Sequence, residues 1–262
     1  MENIKHRPLI LVTNDDGIKA GGIVAVVRML KSFGDVVVVA PNQSYSGMSH
    51  AITVKVPLYA KLVKENEGLK AYKVNGTPVD CVKLALNKLL DRRPDLIVSG
   101  INHGSNSSIS IHYSGTMGAA REGALGGIPS IGLSLLNYSY EADFTHAVMF
   151  AERVVKHVID NGLPDHTYLN VNVPDGMNVK GMKVVRQAHG RWVEEFVERE
   201  DPRHRKYYWL TGHFENLEPE AIDTDEYVLS KGYVSVVPCL LDATSHPVID
   251  QLKGLNHELQ VQ

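Results

Sequence analysis

The strongest constraint on this chain is the way short, unbroken apolar runs alternate with segments of helical periodicity. Pro8 to Thr13 is the first such run. It is apolar from Leu9 to Val12, so both faces of the strand it forms must be covered. A glycine turn at Asn14-Asp15-Asp16-Gly17 follows, and Ile23, Val26, Val27 and Leu30 then recur at helical spacing until Gly34. Asp35 to Ala40 is a second apolar run, stopped by Pro41. Strand, helix and strand in this order fold as a parallel pair with a right-handed crossover.

The alternation continues. Ala51 to Val63 and Leu69 to Val74 are expected as two strands joined at Glu65-Asn66-Glu67-Gly68. Thr77-Pro78 predicts a helix start, with Thr as N-cap, Pro at the first helical position, and Val82, Leu86 and Leu89 on one face. Asp95 to Ser99 is the next buried strand, Gly100 to Ser114 a long polar loop, and Thr116 to Leu125 a helix of small residues. Pro129 to Leu133 predicts another strand and Ala142 to Ile159 an amphipathic helix. Tyr168 to Val173 and Met182 to Val185 read as strands, and Gly232 to Pro238 as the last. The expected fold is α/β: a doubly wound, mostly parallel sheet with a protruding C-terminal section. With 262 residues, 44% of them hydrophobic, the chain can bury a sizeable core in one domain spanning 1–262.

Other bulk properties narrow the function. The chain has 27 Lys+Arg against 30 Asp+Glu, a net charge of −3, so no basic surplus is available to displace counterions from duplex nucleic acid. No stretch approaches the roughly 18 apolar residues of a spanning helix, so no membrane partner is expected. The first residues lack the pattern of a signal peptide, and only Cys81 and Cys239 are present, so a cytoplasmic protein without a disulfide framework is expected. There is no G-x-G-x-x-G after the first strand, no Walker A sequence, no G-x-S-x-G elbow and no C-x-x-C or H-E-x-x-H zinc pattern. A dinucleotide-dependent oxidoreductase is thereby disfavoured.

In open parallel sheets, ligands bind beyond the carboxyl ends of the strands. Three such ends carry polar chemistry. Asp15 and Asp16 leave their strand at a glycine turn, where both carboxylates can converge as hard oxygen ligands for Mg²⁺ or Mn²⁺. The alternative is a hydrated Asx-type turn that caps the next helix. Pro41 to Ser49 offers the hydroxyls of Ser44, Ser46 and Ser49, and Gly47, where backbone can approach a ligand closely. The loop from Ser99 through Asn102, His103 and Asn106 enters a helix at Ser114-Gly115-Thr116, where backbone amides and the helix dipole favour an anion, or where Ser114 is a plain N-cap. Of the twelve histidines, His50, His103 and His112 lie in these loops.

Taken together, Asn14-Asp15-Asp16-Gly17, Ser46-Gly47, Gly76-Thr77-Pro78 with Asp80-Cys81-Val82, Ser99-Gly100-Ile101-Asn102 and Tyr113-Ser114-Gly115-Thr116 resemble the SurE family of stationary-phase survival proteins. The likeness runs collinearly from about residue 8 to 245, through Arg186-Gln187, Tyr207-Tyr208-Trp209, Asp223-Thr224-Asp225 and Gly232-Tyr233-Val234-Ser235-Val236. The resemblance implies a metal-dependent phosphatase acting on nucleoside 5′- and 3′-monophosphates. It implies one divalent ion per subunit, Mg²⁺ or Mn²⁺, held by Asp15, Asp16, Ser46 and Asn102, with Asp15 and Asp16 also catalytic. Asn14, Gly47, Asn106, Ser114, Gly115 and Thr116 are the implied phosphate and substrate contacts. Two segments depart from the family pattern: Asn42 to Tyr45 has no basic residue, and Ser107 to His112 has neither glycine nor acid.

The resemblance also implies a Rossmann-like fold with a C-terminal section exchanged between subunits. Residues 1–189 would be the Rossmann-like core with the active site, 190–231 a protruding or swapped arm, and 232–262 the final strand and tail. The aromatics Trp192, Phe196, Tyr207, Tyr208, Trp209 and Phe214 lie outside any core pattern, which also points to an oligomerisation surface and a homodimer or homotetramer. The competing function is a non-catalytic nucleotide-binding regulator that uses the same cleft.

Overall fold

The computed structural model describes residues 7–176 and 178–256. β1 (Leu9–Thr13) is buried at every residue, as its unbroken apolar run requires. α1 (Gly21–Leu30) crosses to β2 (Asp35–Pro41), which pairs parallel to β1. β3 (Ala60–Asn66) and β4 (Leu69–Val74) form an antiparallel hairpin, β4 lying parallel to β2. α2 (Pro78–Leu84) starts where the sequence marks it: Asp80 N–H donates to Thr77 Oγ1 and Thr77 N–H to Asp80 Oδ2, a reciprocal cap.

β5 (Leu96–His103), α3 (Gly115–Leu125), β6 (Ser130–Leu135), α4 (Thr145–Asn161) and β7 (Thr167–Val173) continue the winding. β8 (Gly181–Val184) and β13 (Tyr233–Leu240) complete a nine-stranded sheet of order β3-β4-β2-β1-β5-β6-β7-β13-β8. It is parallel except at the β3–β4 and β7–β13 pairs. Alternate residues of β1 serve two cores. Ile10 and Val12 pack with Ile23 and Val26 of α1 and Phe150 of α4, and Leu9 and Leu11 with Cys81 and Val82 of α2 and Ala119 of α3. Helices therefore cover both faces, and each fully buried aliphatic side chain contributes roughly 1.5–3 kcal/mol.

Between β8 and β13 the chain leaves the sheet. β9 (Gly190–Val193) pairs antiparallel with β12 (His213–Asn216), and β10 (Phe196–Glu200) with β11 (Lys206–Leu210), forming two ribbons outside the nine strands. α5 (Asp225–Ser230) and α6 (His246–Leu252) are short helices absent from the sequence expectation.

Two expectations need correction. The strand expected over Ala51 to Val63 is confined to β3. From Thr53 to Tyr59 side chains take the backbone groups a ladder would need: Thr53 N–H donates to Asp80 Oδ1, Tyr59 N–H to Asn75 Oδ1, and Asn75 Nδ2 to Pro57 O. The loop expected over Gly100 to Ser114 begins later. β5 runs on to His103 because Asn102 and His103 still pair with Ser134 and Leu135 of β6, and a 3₁₀ turn occupies Ser108–His112.

β1 connects through α1 to β2 on one side and is flanked by β5 on the other. The order reverses at the β1/β5 boundary, so the crevice beyond these two strand ends is where this sheet can take a ligand.

Candidate active site

Asp15 and Asp16 leave β1 directly into that crevice. Gly17 makes the turn possible: its φ is +98°, and a Cβ there would press on the Gln43 backbone at 3.2 Å. Asn14 sits under the turn with no exposure, its Nδ2 donating to Gly17 O at 3.0 Å. The helix-capping alternative for the aspartates fails here. The N-cap of α1 is Ala20, which receives no side-chain hydrogen bond, so neither carboxylate is used to start the helix.

Asp15 is 3% exposed and yet not isolated. The Thr116 hydroxyl donates to its Oδ1 at 2.6 Å, and the Thr116 backbone amide also faces the carboxylate. Burial, with the neighbouring charge of Asp16 second, pushes Asp15 up from 3.8 to about 6 against these donors. Asp16 is half-buried and is likewise raised by burial, opposed by the His103 backbone N–H that reaches its Oδ2 at 3.1 Å. The first turn of α3 thus serves Asp15. Met117 N–H goes to the Ser114 side chain, and the fully buried Thr116 turns inward. Of the expected phosphate contacts at this helix, Ser114 lines the cleft, and Gly115 and Thr116 lie behind it against Asp15.

The cleft has a volume of about 490 Å³, within the range of small-molecule sites. Asp15, Ser46, Gly47, Asn102, Asn106 and Ser114 all line it. Ser46 and Gly47 are exposed at the tip of a loop tied at both ends. Tyr45 N–H donates to Asp15 O at 2.7 Å, Ser49 N–H to Tyr113 O at 3.0 Å, and the Ser49 hydroxyl to His112 O. His50 secures the same loop to α3 through Glu122 at 2.9 Å, and Lys83 holds the other Glu122 oxygen. His103 lines the cleft with its Nδ1 on Ser139 O, and His112 is exposed.

The side-chain amide of Asn102 donates to Gly104 O at 2.9 Å, which leaves its carbonyl oxygen to meet a cation. Asn106 is held by neutral groups. Its N–H donates to Asn172 Oδ1 and its Nδ2 to Ser134 Oγ, while Asn170 Nδ2 donates to Asn106 O. Among the described residues no Lys or Arg lines the cleft. Among the described residues no group of three or more His, Cys, Asp or Glu could hold a metal. Two carboxylates with hydroxyl and amide oxygens instead fit a hard divalent ion that keeps part of its water. Both cysteines are free and buried, and burial pushes the Cys239 thiol up to about 12 and Cys81 further, so neither is a nucleophile.

Several cleft residues carried no signal as ligand contacts in the sequence. Tyr138 comes from a loop, and Trp192, Glu195, Leu210 and Thr211 come from the ribbons and their turns. The ribbon residues fell within a stretch whose aromatics pointed to an interface. Only the topology, which folds that stretch back over the strand ends, reveals a second use.

These features define a class: a Rossmann-like α/β protein with paired carboxylates in an oxygen-lined cleft at the switch point of its sheet. Residues 10–194 match the family model described as Survival protein SurE, and the chain belongs to that family. Relatives named 5'-nucleotidase SurE include one from Christiangramia forsetii, 54% identical, covering 95% of this chain and 97% of its own. Another, from Phocaeicola vulgatus, is 47% identical and covers 97% of this chain and 99% of its own. The crystal structure of the SurE protein from Aquifex aeolicus superposes with a TM-score of 0.82 at 38% identity, covering 95% of this chain and 99% of that one.

Two outcomes follow from this geometry. Asp15 binds its proton more tightly folded than unfolded, so its contribution to stability is lost as pH rises from 3.8 to about 6 and stays lost above. In chelator at pH 7.5, Asp15→Asn should therefore be more stable than the native chain by about 3 kcal/mol, with the difference vanishing near pH 4 in urea unfolding. An Ala at position 115 suits a helix but would place its Cβ 3.0 Å from Asp15 Cβ and 3.1 Å from Oδ2. Gly115→Ala should keep the thermal midpoint within a few degrees while lowering catalytic turnover by roughly tenfold or more.

Proposed function

We propose that this chain is a metal-dependent phosphatase that hydrolyses nucleoside 5′-monophosphates, and 3′-monophosphates in the same cleft, to nucleoside and phosphate. The observation that carries this reading is the charge of the cleft. Asp15 and Glu195 line it, Asp16 lies beside it, and among the described residues no Lys or Arg lines it, so a phosphomonoester dianion is repelled unless a cation enters with it. Asp15, Asp16, Ser46 and Asn102 would hold one divalent ion per subunit, Mg²⁺ or Mn²⁺. That ion supplies the positive charge that a transferring phosphoryl group requires.

The chain's own residues position the rest. Ser114 accepts Met117 N–H at its Oγ, so its hydroxyl proton is available to a phosphate oxygen. Gly47, with φ at +76° and no neighbour in contact at its Cβ position, lets a phosphate approach the loop backbone. Asn106 orients its side chain from a fixed backbone, and Asn14 and Thr116 hold the turn and the Asp15 carboxylate in place. The nucleophile is water. Asp16 is the more accessible carboxylate of the pair and is placed to orient that water or take its proton.

The ribbon aromatics support a homodimer or homotetramer. Phe196 and Trp209 are 67% and 64% exposed in the single chain, apolar surface of the kind that a partner covers. Among the described residues no helix is long and apolar enough to cross a membrane, and two free thiols suit the cytoplasm.

Phosphate release from AMP is expected with Mg²⁺ or Mn²⁺ and to vanish with chelator, and Asp15→Asn should lower it by at least about a hundredfold. Because Asp15 protonates at about 6, apparent ion affinity should fall by about tenfold per pH unit below that value. Full turnover in Asp15→Asn, or undiminished turnover in chelator, would sink the assignment. In light scattering the chain should exceed its monomer mass, and Phe196→Ser with Trp209→Ser should shift it toward monomer.

A further inference from the structure

The cleft lining has two chemistries. The oxygens of Asp15, Ser46, Asn102 and Ser114 form one part of it, and Trp192, Leu210 and Tyr138, with the carboxylate of Glu195, form the other. A ligand that satisfies both has a charged head and a flat, largely apolar body.

The apolar part is built rather than incidental. Trp192 on β9 is half-buried and faces Phe214 across the β9–β12 ladder, their rings 6.2 Å apart and tilted by 71°. This edge-on contact with Phe214 fixes the indole. Tyr138, also in the lining, packs directly on Gly104, where a Cβ would collide with its ring, yet 75% of Tyr138 remains exposed. Glu195 lies between β9 and β10, and its backbone carbonyl accepts Thr211 N–H at 2.8 Å, which joins two ribbon segments that both line the cleft. No side-chain hydrogen bond or ion pair occupies the Glu195 carboxylate among the described residues.

We propose that the ribbon of this chain forms the nucleobase subsite, with Trp192 as its stacking wall and Glu195 as an acceptor that favours amino-bearing bases over uracil. The inference rests on the nucleotide reading above and adds which part of the chain selects the base. An aromatic wall gives affinity to any base, because every base has a π face. A carboxylate only accepts hydrogen bonds. Adenine, guanine and cytosine each carry an exocyclic amino donor, whereas uracil has none and offers only its N3–H, flanked by two carbonyl oxygens that a carboxylate repels. Glu195 is exposed, so water screens this repulsion and the preference is moderate.

The test uses the full chain with saturating Mn²⁺ and compares AMP, UMP and base-free ribose 5-phosphate. Trp192→Ala should lower the AMP to ribose 5-phosphate ratio of kcat/KM by about tenfold or more, through KM rather than kcat, with partial recovery in Trp192→Phe. Glu195→Gln should lower the AMP to UMP ratio by about fivefold. Equal losses on AMP and ribose 5-phosphate in Trp192→Ala, or an unchanged AMP to UMP ratio in Glu195→Gln, overturn the proposal. Calorimetric titration with AMP separates the two readings. If the native chain releases no phosphate but binds AMP in a Trp192-dependent way, the phosphatase reading fails and the subsite stands. AMP binding indifferent to Trp192 removes the subsite.

Discussion

Asp15 is almost wholly shielded from water, one residue from a second carboxylate, and the first turn of α3 answers it with the Thr116 hydroxyl and amide. Much of the local architecture exists to make that contact. α3 can approach because its first residue is glycine, where any Cβ would strike Asp15. The same helix is free of bulk further along, so the Ser49-His50 backbone seats on Gly118 and carries Ser46 and Gly47 to the rim of the cleft. β5 continues past Ser99 far enough to bring the His103 amide to Asp16. A buried acid that destabilises the bare fold is held because three strand ends and one helix converge on it, as expected of a site kept for function.

How much of this could be read from residues alone depended on the range of the interaction. The parallel core was legible because apolar runs such as Leu9 to Val12 and Val36 to Ala40 demand burial on both faces wherever they sit. α2 was legible because its cap is local, with Thr77, Pro78 and Asp80 within four residues. The segment from Ala51 to Tyr59 misled because its apolar residues resemble a strand, while its backbone partners are side chains at Asn75 and Asp80, distant in sequence. α5 and α6 escaped because six or seven residues do not establish a period, and α6 buries none of them.

The candidate site followed the same rule. Asp15, Ser46, Asn102 and Ser114 were each visible as polar residues at strand ends, and the fold brings them to one cleft. Their geometry was not visible. Nothing local says that Thr116 turns inward to Asp15, or that Trp192 and Glu195 swing back over the sheet from the ribbons. Those placements depend on the β9–β12 pairing and on contacts across a hundred residues. Charge was legible only in bulk. The net −3 argues against a polyanion surface, but the absence of any Lys or Arg from the cleft among the described residues is a local fact of the fold.

In the cleft wall, Asn106 itself is fastened by Asn170, Asn172 and Ser134, an assembly of amides and a hydroxyl with no ionisable member. Only the next two residues turn to carboxylates, Ser107 to Glu226 and Ser108 to Asp225. The neutral bonds keep their strength across pH and ionic strength, unlike ion pairs, which salt screens. Charge at Asp15 and Asp16 can therefore appear, vanish or be neutralised while the wall at Asn106 stays in register. The molecule separates the part that must respond to its surroundings from the part that must ignore them.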